Sequence, residues 1–215
     1  MLAAAQQKKN IELTFSSSFG TDTISLNDTS VFFSKKDSLE ISSIRFYCSN
    51  IQFLKARKII WEEKSSYHLI DISIENSSKL NLSVPHNINY DEVKFNLGID
   101  SLTNELGAMG GDLDPIKGMY WAWNSGYINF KLEGKSEKCK TRNNEFQFHI
   151  GGYSFPSNSL QVIKLPINSP GKISVNLDIA KFLLSINLAE ENHIMSPSAK
   201  ALIMAQNIAK SFSIK

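Results

Sequence analysis

A two-residue alternation of apolar and polar side chains runs through most of this 215-residue chain. Successive side chains of a β-strand point to opposite faces of the sheet, so the pattern predicts strands with one buried face. The alternating segments are bounded by Asn, Ser, Gly and Pro, and they centre on residues 11–15, 44–48, 70–74, 93–99, 146–150 and 173–179. Such segments predict a mainly β fold, an antiparallel β-sandwich in which two sheets cover each other.

Two segments depart from this alternation and indicate helices. Residues 179–189 carry apolar side chains at helical spacing, with Asp178 available as an N-cap. Near the C-terminus, Ser196 can cap a helix and Pro197 suits its first turn. The apolar stripe of that C-terminal α-helix would be Leu202, Ile203, Ala205, Ala209 and Phe212. We expect this helix to pack on an open edge or end of a sheet.

The N-terminus resembles the end of a secretory signal. Ala3 and Ala5 form an Ala-x-Ala cleavage pattern, and the chain turns polar at Lys8. We interpret residues 1–9 as a signal-peptide remnant or a disordered N-terminus, and residues 10–215 as one domain. The protein would then be periplasmic, exposed at the cell surface or secreted, whereas the alternative is a cytosolic protein with an Ala-rich start. In an exported protein Cys48 and Cys139 could pair, and two unpaired thiols are the other possibility.

Charge and composition exclude several classes of partner. The formal net charge is +2 and is not gathered into one tract, so we expect no nucleic-acid partner. No apolar run approaches the roughly 18 residues of a membrane-spanning helix. A hydrophobic content of 42% with 13 Phe excludes a disordered chain. The oligomeric state is left open.

Residues 110–127 are the least ordinary segment, because they hold two of the three Trp. If residues 119–124 are extended, Trp121 and Trp123 point to one face, as core residues or as an aromatic wall beside a ligand or metal. Asp112 and Asp114 offer oxygen ligands for a structural calcium ion. They could also serve as the acid and base of a hydrolase, but no catalytic pattern organises them, so we do not expect an enzyme.

Three of the four histidines are candidates for a site, while His86 follows Pro85 in a polar, Asn-rich stretch and is expected at the surface. His149 has the opposite parity to its apolar strand neighbours and precedes two glycines, so its side chain can project into a site. His193 is followed two residues later by Met195, and an imidazole with a thioether suits copper, especially Cu(I). His68 shares the parity of Ile70 and so points toward the core, which favours a hydrogen-bonded structural histidine.

The run from Gly118 to Tyr127 resembles the signature of the MbnP-like family and reads GMYWAWNSGY. This family comprises extracytoplasmic copper-associated proteins, related to the copper-binding surface proteins of methane-oxidising bacteria. Three further segments agree with the family in their order, namely Leu-Asp-Pro at 113–115, His-Ile-Gly-Gly at 149–152 and His-Ile-Met-Ser-Pro at 193–197. Together they cover about the second half of the chain.

The resemblance implies an exported, non-catalytic copper-binding protein for copper uptake, storage or delivery. It further implies that a dihaem, peroxidase-like partner oxidises Trp121 or Trp123 to kynurenine beside the metal. Carried over to this chain, His149 is the first candidate ligand, His193 the second and His68 the third. The alternative is a secreted β-sandwich module that binds glycan or protein through an aromatic surface of Tyr120, Trp121, Trp123 and Tyr127.

Overall fold

A computed structural model of the chain describes residues 7–27, 31–34, 37–124, 126–167 and 171–215. Strands dominate these residues, and three short α-helices and three 3-10 turns connect them. No helix of the described ranges combines the length and the apolar character needed to cross a membrane. The first strand begins at Lys8, so residues 8 and 9 belong to the fold, while the Ala-x-Ala pattern lies outside the described residues.

The strands alternate apolar and polar side chains along much of their length, and in chain order they are β1 (Lys8–Phe19), β2 (Asp22–Thr23), β3 (Val31–Ser34), β4 (Asp37–Lys55), β5 (Lys58–Glu62), β6 (Tyr67–Asp71), β7 (Lys79–Pro85), β8 (Glu92–Leu97), β9 (Tyr120–Trp121), β10 (Gly126–Ser136), β11 (Glu145–Gly151), β12 (Gln161–Pro166), β13 (Ile173–Asp178), β14 (His193–Ile194) and β15 (Phe212–Ile214). The helices are α1 (Ser101–Glu105), α2 (Ile179–Leu183) and α3 (Ala199–Ala209).

Within the described residues the strands form two sheets. The smaller sheet has five strands in the order β15-β13-β1-β2, with β7 also paired to β1. The larger has ten, in the order β12-β8-β4-β10-β11-β14, and β3, β5, β6 and β9 join it beside this path. The 19-residue strand β4 is its centre, because β8 and β10 pair with one edge of it while β6 pairs with the other.

The core lies between the two sheets. Phe15 of the smaller sheet packs edge-on against Phe46 and Phe95 of the larger one, with ring centroids 5.6 Å apart in both pairs. Two-residue alternation places these rings on the inner faces, where they are buried. The predicted mainly β sandwich with a C-terminal helix is therefore confirmed. It is not wholly antiparallel, since β1 pairs with β13, and β11 with β14, in parallel.

The helices are shorter than the sequence pattern predicts. The Asp178 side chain accepts a hydrogen bond from the Ala180 N–H and caps α2 as predicted, but that helix ends at Leu183. The cap of α3 is Ser198, whose hydroxyl oxygen accepts from the Ala201 N–H, and not the predicted Ser196. This start rotates the buried face to Ala201, Met204, Ala205 and Ile208, and Phe212 belongs to β15. The predicted stripe is thus wrong in most positions.

Both cysteines are buried as free thiols. Cys48 lies on β4 and Cys139 in the connection between β10 and β11, and the two form no disulfide. Of the two possibilities that the sequence leaves open, the structure has the unpaired one. Burial raises the pKa of each thiol, so neither is a ready thiolate ligand for a metal.

Candidate functional site

A second apolar cluster lies on the outer face of the larger sheet. Its buried members are Tyr47, Leu69, Ile99, Leu113, Met119, Trp121, Tyr127 and Ile128. Residues 100–124 cover this face, and the 3-10 turns at Gly111–Leu113 and Pro115–Lys117 shape the covering segment. The Tyr47 hydroxyl donates a hydrogen bond of 3.1 Å to the Asp112 carbonyl and ties the segment to the sheet. The tryptophan signature is therefore folded onto the outside of the sandwich.

The two signature tryptophans have different surroundings. Strand β9 ends at Trp121, and the chain turns through residues 122–124, so the expectation of one extended face is wrong. Trp121 is 4% exposed, whereas Trp123 is 67% exposed. Their ring centroids are 5.8 Å apart with the planes at 43°. The pair therefore joins a buried indole to one that faces solvent.

Trp121 lies against the backbone of Gly151, at the end of β11. A Cβ atom on Gly151 would be 2.7 Å from Cζ3 of the Trp121 ring, a distance that ordinary packing forbids. The Trp121 Nε1 atom is buried and has no hydrogen-bond partner among the described residues. A buried polar group without a partner is uncommon and costs free energy, so this indole is chemically unusual.

His149 projects from β11 on the same outer face. It pairs in register with Lys131 of β10, and its Nε2 atom lies 2.7 Å from Oε1 of Glu133. That hydrogen bond, against the effect of burial and with help from Lys131, lowers the pKa of Glu133. The described residues provide no other hydrogen bond for the His149 ring, which leaves Nδ1 without a partner. Gly151 is two residues further along this face, about 7 Å away.

His193 and Met195 come to the other side of the same strand. The short strand β14 runs parallel to β11 and places His193 opposite Gln147. Residues opposite each other in a sheet point to the same face, so His193 is on the outer face, where it is exposed. Met195 follows two residues later, just beyond the end of β14 at Ile194. Three residues expected at the site, Trp121, His149 and His193, thus lie on the outer face around β11.

His68 lies elsewhere. It is opposite Cys48 on β4 and shares the inward parity of that buried residue. Its Nε2 atom is 2.7 Å from Oε2 of Glu63, which also accepts a hydrogen bond from Ser66. Three strand spacings, about 14 Å, separate β6 from β11, and the two histidines have opposite parity. One metal ion cannot contact both His68 and His149.

The aspartates of the covering segment have structural partners. Asp112 pairs with the Lys117 ammonium through Oδ1 and accepts the Leu69 N–H through Oδ2. Asp114 accepts the Ile116 N–H and so begins the second 3-10 turn. The described ranges contain no group of three or more His, Cys, Asp or Glu side chains able to hold a metal ion. The expectation of calcium at Asp112 and Asp114 therefore finds no support.

The aromatic surface required by a glycan-binding module is not assembled. Trp121 and Tyr127 are buried, and Tyr120 is half-buried with its ring edge against Tyr127 at 5.0 Å. Only Trp123 of the four rings is open to stacking with a ligand. Most aromatic rings of this segment pack against the larger sheet, and Trp121 packs against β11.

Sequence reasoning missed Glu133 and Lys131. Both have the outward parity in β10, opposite to the buried Phe130 and Leu132, and that parity was the available signal. Lys131 Nζ lies 3.4 Å from the oxygen that accepts the His149 hydrogen bond. Which residue of β11 these two side chains meet depends on the β10–β11 register, and the sequence does not specify that register.

Comparison with known proteins identifies the family. The family model described as MbnP matches residues 8–196. The chain belongs to the MbnP family. The match begins with β1, includes both tryptophans and the residues around β11, and ends before α3 and β15. No curated protein matches the chain.

A solved structure supports the same fold. MbnP from Methylosinus trichosporium superposes with a TM-score of 0.66, over 85% of this chain and 80% of that one. The sequences are 12% identical, so the likeness concerns the fold alone. The MbnP sandwich is therefore kept although most side chains differ.

Proposed function

We propose that this protein is an exported, non-catalytic copper-binding protein that serves copper uptake, storage or delivery. Membership of the MbnP family supports a copper-related role outside the cytoplasm. The observation that carries the proposal is that His149 and His193 lie on the same face of neighbouring strands of the larger sheet, with Met195 two residues after His193 in the chain. Imidazole nitrogen and thioether sulfur are donors that suit Cu(I).

The donors around β11 fit copper better than a hard cation. Calcium requires six to eight oxygen ligands, and none of the candidate donors at β11 is a carboxylate other than Glu133, which is engaged by His149. His149 is nearly buried and keeps one ring nitrogen unengaged, while His193 is exposed and free to approach. When bound, the metal would be held chiefly by His149, with His193 and Met195 as the further donors.

Of the two tryptophans, we propose Trp121 as the residue converted to kynurenine. It lies on Gly151, two residues from His149. Its Nε1 atom makes no hydrogen bond with the described residues, so ring opening would break none. Oxidation by two equivalents of peroxide at the partner would open the indole, release Cδ1 as formate together with water, and leave an arylamine and a ketone, both potential donors beside the imidazole. Trp123 is the exposed member of the pair and would face the dihaem, peroxidase-like partner that supplies the oxidising equivalents.

Copper binding can be tested by titrating the purified protein against a competing Cu(I) chelator. We expect His149→Ala to weaken binding by more than the roughly 10–100-fold that loss of a supporting residue costs. His193→Ala should weaken it less, because an exposed side chain is less firmly placed. His86→Ala is the matched control, since His86 is exposed and its ring is hydrogen-bonded only to Asn87 among the described residues. Unchanged affinity in both the His149 and the His193 variants would overturn the proposal.

Tryptophan oxidation has a separate test. Protein isolated from its native host should have the intact mass expected when one ring carbon is replaced by one oxygen. Peptide mapping should place that change at Trp121, and a Trp121→Phe variant made in the same host should lack it. A modification found at Trp123 alone would contradict the assignment and leave the copper proposal standing.

A further inference from the structure

The contact between Glu133 and His149 determines which ring nitrogen is available to a ligand. Glu133 is opposite Gln147 in the β10–β11 register, so it reaches His149 diagonally across the two strands. The Nε2–Oε1 distance of 2.7 Å is that of a charge-assisted hydrogen bond. The imidazole is nearly buried, so solvent offers it no competing partner of comparable strength.

Glu133 is itself held in place. Lys131 lies two residues before it on the same face, and its Nζ atom is 3.4 Å from the oxygen that His149 contacts. Lys131 is opposite Arg45 of β4, and Arg45 Nε forms an ion pair of 2.8 Å with Asp71 Oδ2 on β6. Of these charged groups Lys131 is the one that contacts Glu133, and this contact restricts the positions that the Glu133 carboxylate can take.

An ionised carboxylate only accepts hydrogen bonds, so the hydrogen in this contact must be on Nε2 of His149. A neutral imidazole carries one N–H, which leaves the lone pair on Nδ1. Histidine ligands in metal sites characteristically donate their second ring N–H to a carboxylate or carbonyl. Here the carboxylate is already in place, and Nδ1 has no partner among the described residues.

We propose that Glu133 is a positioning residue that holds His149 as the Nε2–H tautomer and directs Nδ1 toward the metal. This inference rests on the proposed function where it concerns copper. The tautomer itself does not, because the hydrogen bond is present in the protein alone. A metal bound through Nε2 would instead have to displace Glu133 and leave its charge beside Lys131 alone.

The tautomer can be measured in the metal-free, full-length protein by 15N NMR of the His149 ring at about pH 8, where an ordinary histidine is neutral. We expect protonated Nε2 and unprotonated Nδ1 in the wild type. Glu133→Gln keeps an acceptor oxygen and should keep this tautomer, whereas Glu133→Ala should yield a mixture. Glu75→Gln is the matched control. Glu75 is an exposed glutamate that pairs with Lys79, and both residues are far in sequence from Glu133 and His149. Far-UV circular dichroism checks that each variant is folded.

The same variants are then titrated with Cu(I) against a chelator. Glu133→Ala should lose about 10–100-fold in affinity, and Glu133→Gln should recover most of that loss. A wild-type ring protonated at Nδ1, or a Glu133→Ala variant that binds Cu(I) as tightly as the wild type, would overturn the inference while His149→Ala still tests the proposed function. If copper does not bind at His149, the proposed function fails, and the tautomer still decides whether Glu133 orients the ring.

Discussion

Replacement of Gly151 by alanine tests the packing of the Trp121 ring against the Gly151 backbone. The new Cβ atom would be 2.6 Å from the Tyr127 carbonyl oxygen and 2.7 Å from Cζ3 of Trp121. Carbon atoms in contact prefer a separation of about 3.5–4.0 Å, so the new Cβ and the Trp121 ring must move apart by roughly 1 Å. The carbonyl belongs to the backbone of β10 and cannot yield, and the indole is packed within the outer cluster. The strain must therefore be relieved by moving Trp121 or by separating the two strands.

Overpacking of this kind costs about 1–3 kcal/mol, and a backbone contact places Gly151→Ala near the upper end. For a chain of this length each kcal/mol lowers Tm by about 2–4 °C, so we expect a loss of about 6–12 °C. Denaturant unfolding followed by circular dichroism gives the free energy, and tryptophan fluorescence reports on the displaced indole. Gly110→Ala is the control, because a Cβ at Gly110 meets no atom within 4 Å.

A double-mutant cycle with Trp121→Phe identifies the contact responsible. Phenylalanine lacks the Cζ3 and Cη2 atoms that the new methyl group meets, so Gly151→Ala should cost less in that background. If Gly151→Ala and Gly110→Ala have equal stability within about 0.5 kcal/mol, the packing argument is wrong. An unchanged cost in the Trp121→Phe background would show that the Tyr127 carbonyl alone opposes the substitution.

Two further predictions concern Glu63 and the two cysteines. Burial favours the neutral form of Glu63, but hydrogen bonds from His68 and Ser66 outweigh it, so its pKa is lowered. The stability that Glu63 contributes is therefore complete above its unfolded pKa of about 4.3 and lost as pH falls through the lower folded value. Unfolding of Glu63→Gln and wild type should differ at neutral pH and converge in acid, and a constant difference would refute this. Cys48 and Cys139 should resist thiol reagents until the protein unfolds, because burial raises the pKa of both; rapid labelling of the native protein would contradict that burial.

The strands were predictable where alternation is not interrupted. Residues 11–15 and 146–150 follow one parity and are strands with the expected faces buried. The pattern at 70–74 fails because Asp71 ends the strand, and its carboxylate accepts hydrogen bonds from the Ser73 N–H and hydroxyl. Ile99 continues the parity of Leu97, but Gly98 between them has a φ of +115°, and Ile99 joins the outer cluster instead.

The outward direction of a candidate side chain was predictable, and its contacts were not. Strand parity alone indicated that His149 projects away from the core. The hydrogen bond to Glu133 depends on the register of β10 with β11, which shifts between Ile128 and Phe130. The approach of His193 depends on a parallel pairing with a two-residue strand, and so short a strand has no periodicity to detect. Tertiary contacts, which local patterns do not encode, settled both.

The parallel pairing of β1 with β13 has a consequence for the order of folding. It joins residues 160 positions apart, as between Thr14 and Ser174, so the smaller sheet cannot close until most of the polypeptide has been synthesised. Contacts this distant slow folding, because a long loop must be ordered before they form. Until then one side of β1 is bare and open to pairing with other chains. The smaller sheet therefore becomes continuous only when residues 173–178 reach β1.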